Sequence, residues 1–433
     1  MFERHTADNL VELITRILDV LCSNWREKLI GLGSDGENKM TGQHAGVVTQ
    51  IERQAQHRVY RTWCALHQLD LVMQYGYKDL MDGKFLKYTT DFISHLRQQY
   101  SLIAEMQSTC PKLANRWIIM GTVCRWFLEH RDRLLQFIQD PDCSELTRKI
   151  TPPAWWWIAV AAVAGITETV NVVFIKLQGK DITVEQQSES LEELSIFLCT
   201  QVGVRGPYDR NQLRVLNPMR FSICGRWALE ATQLEEFLHG QSTFVLSALT
   251  ALRQDDRVML LASIGNMIVS CIDGILDIKA ERNARNEPGE DIPPVLPHRL
   301  VKLRGKEFMN IISQHYTRLE KYWGAAAINK LEKEFHQLLA SYHTDSHLKS
   351  ALSNCDQYTT FESGWRIVNS GGQYNFLKDF CGGIATVFPN TATVEADFSW
   401  LSWNKDEFRK SLTDLSLEGI MQCKQFSVLS GLM

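Results

Sequence analysis

One carboxylate lies where a β-sheet would present it for chemistry. Asp35 follows Ser34 and the apolar, glycine-rich residues 29–33, and it stands directly before Gly36. A short apolar run bounded by glycine is typical of a buried strand, and open α/β sheets bind ligands at the carboxyl ends of their strands. Gly36 would let the backbone leave the strand without steric cost. The alternative is an ordinary turn aspartate that caps the next helix, because Asp-Gly is a common turn dipeptide.

Two potential metal ligands share a Cys-x-x-His spacing. Cys64 and His67 follow a second strand-like segment and would supply two of the four ligands of a structural zinc site. The alternative is a buried cysteine beside a hydrogen-bonded histidine, since no partner pair of similar spacing is evident. A second set of potential ligands shares helical spacing, with a solvated helix face as the alternative: His336, His343, Asp345 and His347.

The charge balance excludes a global electrostatic attraction to nucleic acid. The 433 residues carry 46 Lys and Arg against 50 Asp and Glu, a formal net charge of −4. Contact with nucleic acid must therefore come from local basic patches. Two stretches qualify, although a run of charge is most often a solvated face: Lys112, Arg125, Arg131 and Arg133, and then Arg299, Lys302, Arg304 and Lys306.

Composition also indicates the compartment. Hydrophobic residues make up 45% of the chain, as in a folded globular protein. The 11 cysteines are scattered and include no Cys-x-x-Cys pair. This usage is typical of a reduced, intracellular protein, so we expect a nuclear or cytoplasmic location.

The elements that must position Asp35 and Cys64 begin with a predicted helix from Thr6 to about Trp25, whose first turn contains Asp8. Residues 29–33 and 59–65 follow as predicted strands, with a short helix between them. A strand-helix-strand order with short links predicts a parallel pair. Because three or more strands are normally needed for independent stability, we expect this α/β part to be incomplete.

Helical spacing dominates residues 108–375. The most apolar stretch, residues 154–166, contains three consecutive tryptophans and is shorter than the ~20 residues that span a bilayer. We therefore expect a buried helix there and no membrane partner. After this region, a helix is predicted to carry Glu395 and Phe398. The closing amphipathic residues 412–426 need a partner surface, and we expect them to form a homodimer.

In this order, the motifs resemble those of the hAT family of DNA transposases. The resemblance rests on residues 34–36 with Met40-Thr41-Gly42 and Gly46-Val47-Val48 behind them, Cys64-Ala-Leu-His67, Arg116-Trp117, residues 393–399 around Glu395, and then Arg409 and Leu412. It implies an α+β, mostly helical fold in which a partial ribonuclease-H-like core is interrupted by a large all-helical insertion domain. The implied domains are the partial core (1–107), the insertion (108–375) and the end of the core with a dimerisation segment (376–433).

The resemblance also implies roles for individual residues. Asp35 resembles the second and Glu395 the third of three acids that hold Mg²⁺ or Mn²⁺ for DNA strand cleavage and transfer. Two such cations prefer oxygen ligands and together stabilise the attacking and leaving oxygens. Cys64 and His67 resemble a DNA-proximal structural element.

Arg116 and Trp117 resemble a position close to the cleaved DNA, where an aromatic side chain stacks on an extruded base. The alternative for Trp117 is an ordinary core tryptophan, because this residue type is mostly buried on average.

One departure from the family limits the expected activity. The first acid of the family lies on a strand upstream of every segment seen here, and Asp8 belongs to a helix start. The amino-terminal zinc finger common in the family is also absent. We therefore expect a truncated or domesticated relic that is catalytically inactive and keeps DNA binding and dimerisation. Two alternatives stay open: a structural or protein-interaction module without DNA binding, and an active metal-dependent transposase whose amino terminus is missing from this sequence.

Overall fold

The computed structural model describes residues 6–55, 57–113, 117–142, 144–179, 182–278 and 292–389, together with residues 391 and 416. Within these ranges the fold is mixed α and β and mostly helical, with two small two-stranded sheets. The predicted fold class is confirmed at this level.

The amino-terminal unit contains both predicted strands. Its elements are α1 (Ala7–Leu21), α2 (Trp25–Lys28), β1 (Gly31–Ser34), α3 (Asn38–Thr41), α4 (Val47–Gln54) and β2 (Tyr60–Trp63). The hydroxyl of Thr6 caps α1 by accepting the N–H of Asn9 at 3.3 Å, with Asp8 in the first turn. Strands β1 and β2 pair in parallel, as predicted, with Gly31 opposite Tyr60.

Both faces of this small sheet are covered. Because side chains alternate along a strand, Leu32 faces one way, into an apolar cluster with residues of α1 and α4 such as Val11 and Ile51. The other face carries Gly31 and Gly33, and the chain at residues 387–388 crosses it. A Cβ atom on Gly31 would lie 2.9 Å from the methyl groups of Val387. The glycines of β1 are therefore explained by the close approach of this returning segment.

The main helical body follows β2. Its elements are α5 (Ala65–Asp79), α6 (Lys84–Leu96), α7 (Tyr100–Met106), a short 3-10 helix (Trp117–Ile119), α8 (Met120–Glu129), α9 (Arg131–Gln139), α10 (Glu145–Ile150), α11 (Ala154–Leu177), α12 (Val184–Val202), α13 (Arg210–Val215), β3 (Phe221–Cys224), β4 (Trp227–Glu230), α14 (Ala231–His239), α15 (Thr243–Ala251) and α16 (Gln254–Asp277). One hydrophobic cluster extends from Cys64 to Ile278 and contains the fully buried Trp156. The β3–β4 hairpin lies within a region predicted to be helical throughout, so that prediction is wrong there.

Two helices of this body, α11 and α16, are long and apolar enough to cross a membrane. Within their most apolar windows, however, 61% and 56% of the residues are buried inside the protein. This burial is expected of core helices. Helix α11 extends well beyond the predicted residues 154–166, and its interior location confirms the predicted buried helix.

A second helical unit has its own core. It comprises α17 (Pro297–Leu300), α18 (Gly305–Trp323), α19 (Ala325–Thr344), α20 (Ser346–Ser353), α21 (Phe361–Asn369) and α22 (Asn375–Ala385), packed around residues such as Phe335 and Trp365. It joins the main body through polar contacts. The amide of Gln186 in α12 donates to the carbonyls of Gln357 and Thr359 at 3.0 and 2.8 Å.

The same unit also holds the small sheet. The hydroxyl of Tyr60 in β2 lies 2.9 Å from Nε2 of His315 in α18, and both residues are buried. Strand β2, whose parallel partner β1 ends beside Asp35, is thus fixed by a helix more than 250 residues further along the chain.

Candidate functional site

Asp35 is at the carboxyl end of β1, as predicted, and its side chain is exposed. Oδ1 of Asp35 accepts the backbone N–H of Glu37 at 3.1 Å, which is the local hydrogen bond of a turn aspartate. The carbonyl of Asp35 accepts the indole N–H of Trp63 at 2.9 Å. The side chain therefore both supports the turn and faces solvent at the edge where the two strands end.

Gly36 is required by the geometry of this turn. Its φ is +82°, in the left-handed region that side chains rarely adopt. A Cβ atom there would lie 1.8 Å from the indole nitrogen of Trp63. The dipeptide Asp35-Gly36 thus directs the backbone around the Trp63 ring and leaves the Asp35 carboxylate on the outside.

Cys64 and His67 lie on the adjacent strand end. Cys64 is buried just before α5, and its N–H donates to the carbonyl of Ser34 at 2.8 Å. His67 is half-buried in the first turn of α5. The Sγ atom of Cys64 accepts the N–H of Thr391 at 3.4 Å.

The chain therefore returns from its far end to the carboxyl edge of the sheet. The hydroxyl of Thr62 donates to the carbonyl of Phe388 at 3.0 Å, and three residues later Thr391 meets Cys64. Glu395 lies outside the described residues.

Trp117 begins the 3-10 helix and is half-buried against the main hydrophobic core. Its neighbour Arg116 lies outside the described residues. A buried acid, Asp70, holds this segment by accepting the N–H of Ile118 at 3.0 Å. Sequence reasoning missed Asp70, although its position three residues after His67 places it on the same face of a helix.

Metal ligands do not converge within the described residues. No group of three His, Cys, Asp or Glu side chains there is close enough to hold a metal ion. His336, His343 and His347 are exposed and lie on two separate helices, α19 and α20. The carboxylate of Asp345 accepts the N–H groups of His347 and Leu348 as the N-terminal cap of α20.

The described residues also lack a set of ligands for the divalent ions that the resemblance implies. Asp35 alone of the two proposed acids is described, and the described residues supply no set of oxygen ligands that fits Mg²⁺ or Mn²⁺.

Several arginines of the two predicted basic stretches are occupied by internal contacts. Arg125 pairs with Glu168, and Arg133 binds both carboxylate oxygens of Glu105 at 2.7 and 2.5 Å. The Arg133 guanidinium lowers the pKa of the Glu105 carboxyl. The guanidinium of Arg131 lies 4.0 Å from the centre of the Phe244 ring.

In the second stretch, Arg299 pairs with Glu189 and approaches Glu185 at 3.9 Å. Burial raises the pKa of the Glu185 carboxyl to about 7. Arg299 therefore joins α12 to the second helical unit, which reduces what this guanidinium can offer to phosphates.

Compared with models of known protein families, the chain matches none.

Proposed function

We propose that this chain is a hAT transposase-derived protein that binds DNA and self-associates, built on a partial ribonuclease-H-like core. The proposal includes no catalytic step. Its location would be nuclear or cytoplasmic.

One observation carries the proposal, namely the contact between Thr391 and Cys64. The resembling motifs lie at opposite ends of the sequence, and this contact brings the residue that precedes the 393–399 motif by two positions to the strand end beside Asp35. Cys64 is hydrogen-bonded to Ser34, next to Asp35, while Thr391 stands four residues before Glu395. The parallel order of β1 and β2 and the long helical region between the motifs agree with the same reading.

A salt-dependent binding assay tests the DNA part of the proposal. The full chain is titrated into a labelled 30-base-pair duplex at 50 mM salt, with fluorescence anisotropy as the readout. We expect binding that weakens steeply as salt rises, because phosphate contacts release counterions. No binding at protein concentrations up to about 100 µM, the weak end of non-specific affinity, would refute DNA binding.

The dimer is tested separately by sedimentation. The full chain should sediment with twice the monomer mass of 49.7 kDa. A chain that stops after residue 411 should sediment as a monomer, because it lacks the closing amphipathic residues. A dimer of unchanged stability in the shortened chain would contradict the proposed role of that segment.

An exposed apolar face favours a second candidate function, that of a protein-interaction module. On α1, four apolar side chains are 48–86% exposed: Leu13, Ile17, Val20 and Leu21. Such a stripe is typical of a surface that another protein covers. The anisotropy assay separates the two candidates, since this one predicts no DNA binding at low salt.

A further inference from the structure

A cluster of arginines stands between α12 and α14, apart from the two basic stretches discussed above. Residues 205–226 contain five arginines, no lysine and a single acid, Asp209. We call residues 203–230 the arginine hairpin. In a chain of net negative charge, this is a strong local excess of positive charge.

The arginine hairpin is a rigid platform. Strands β3 and β4 pair antiparallel, and Arg205 adds to the edge of β4 by exchanging backbone hydrogen bonds of 2.8 and 2.9 Å with Ala228. The turn of the hairpin rests on α16. A Cβ atom on Gly225 would lie 2.2 Å from the carboxylate of Asp273. The side chains of Arg205 and Arg226 are therefore presented from a fixed backbone.

All five guanidinium groups are exposed, and only one of them is neutralised within the described part of the chain. Arg220 pairs with Glu230 at 2.6 Å. The single acid, Asp209, is already committed, because its carboxylate accepts two backbone N–H groups at the start of α13. The other four arginines form no ion pair among the described residues: Arg205, Arg210, Arg214 and Arg226.

This separates the arginine hairpin from three arginines of the predicted basic stretches. Arg125, Arg133 and Arg299 each pair with a carboxylate. A guanidinium that already has a carboxylate partner gains less from a phosphate than one that has only water. The unpaired guanidinium groups of the hairpin are therefore the better phosphate ligands.

We propose that the arginine hairpin is a surface that contacts the phosphate backbone of duplex DNA. This inference rests on the proposed DNA binding and assigns it to residues outside the motifs that suggested it. Arg220 immediately precedes β3, and Arg226 lies in the two-residue turn at the far end of β3. About four to five strand residues, or roughly 15 Å at ~3.4 Å per residue, therefore separate them along the hairpin. Each DNA strand carries one phosphate per ~3.4 Å of helix axis. The arginine hairpin is thus long enough to contact several phosphates of one strand.

The test compares two triple variants of the full chain in the anisotropy assay, from 50 to 300 mM salt. The hairpin variant is Arg210→Gln, Arg214→Gln and Arg226→Gln. The control variant is Lys87→Gln, Lys333→Gln and Arg366→Gln, which removes the same charge from exposed positions on α6, α19 and α21. Circular dichroism should show the helical content of the unmodified chain in both, because none of these side chains is buried.

The slope of log K against log salt is the decisive quantity. Each lost phosphate contact lowers its magnitude by about 0.9, so the hairpin variant should lose about 2 to 3 units and bind at least about tenfold more weakly at 50 mM salt. The control should keep the slope of the unmodified chain. Equal slopes for the hairpin variant and the unmodified chain would overturn the inference alone. No DNA binding by the unmodified chain would overturn the proposed function as well.

The last measurement compares binding of polyglutamate, an acidic polypeptide, by the unmodified chain and the hairpin variant. If the hairpin variant loses polyglutamate binding but keeps DNA binding, the surface recognises acidic protein and the inference falls.

Discussion

Acidification from pH 7 to pH 5 should weaken the attachment of α18 to the small sheet. The buried ring of His315 connects two partners. Its Nδ1 accepts from the guanidinium of Arg318 at 2.7 Å, and its Nε2 lies 2.9 Å from the hydroxyl of Tyr60. Because a guanidinium can only donate, the neutral ring must carry its proton on Nε2 and donate it to Tyr60. A second proton, on Nδ1, would face the N–H group of Arg318.

The size of the effect follows from the shift in pKa. Burial, and then the charges of Arg318, Arg58 and His57, lower the pKa of His315 to about 3. The unfolded chain has a histidine pKa of about 6.5. Since the folded pKa is the lower one, the neutral ring stabilises the fold above pH 6.5, and this contribution is lost as the pH falls from 6.5 towards 3. Proton linkage gives a loss of about 2 kcal/mol between pH 7 and pH 5.

Urea unfolding followed by tryptophan fluorescence measures this loss at the two pH values. The substitution His315→Gln removes the titrating ring and keeps an acceptor and a donor in its place. Other groups titrate equally in both chains, so the unmodified chain should lose about 2 kcal/mol more of its unfolding free energy than the variant does. Losses that agree within about 0.5 kcal/mol, a quarter of the linkage value, would refute the role assigned to His315.

Two further substitutions test the candidate site. Gly36→Ala should lower the unfolding free energy by about 1 to 2 kcal/mol, because its φ is unfavourable for alanine and the new methyl group displaces the ring of Trp63. The control, Gly371→Ala, should be neutral, because no atom lies within 4 Å of its new methyl group. Equal effects of the two substitutions in urea unfolding would contradict the strain at Gly36. Asp70→Ala should cost about 1 to 3 kcal/mol, because the buried N–H of Ile118 loses its acceptor, and hydrogen exchange at that amide should accelerate. An unchanged exchange rate would show that Asp70 does not hold the segment.

Local patterns in the sequence predicted the local elements. Thr6 and the apolar spacing after it predicted α1, and the alternation of strand, helix and strand predicted the parallel pairing of β1 with β2. The apolar run around Trp156 predicted a buried helix. In each case the information lies within a few residues of the element, which is where hydrophobic periodicity and capping operate.

The features that the sequence did not predict are two short strands and a contact between residues distant in the sequence. Strands β3 and β4 have four residues each, too few for a clear alternation, and the Gly225-Arg226 turn was the one local signal of a hairpin. The role of Asp70 depends on a segment 48 residues away. The predicted sites at Glu395 and Arg116 lie outside the described residues and stay predictions.

The small sheet shows why the candidate site depends on the rest of the chain. A two-stranded sheet is marginal by itself, so the pairing of β1 with β2 needs support from outside the two strands. One face of the sheet is supported by the neighbouring helices α1 and α4. The other face is supported by Val387 and Phe388. The buried hydroxyl of Tyr60 is hydrogen-bonded to His315. The exposed carboxylate of Asp35 is thus held at its strand end by residues from the last third of the sequence, and any change that loosens α18 should also loosen the turn at Asp35.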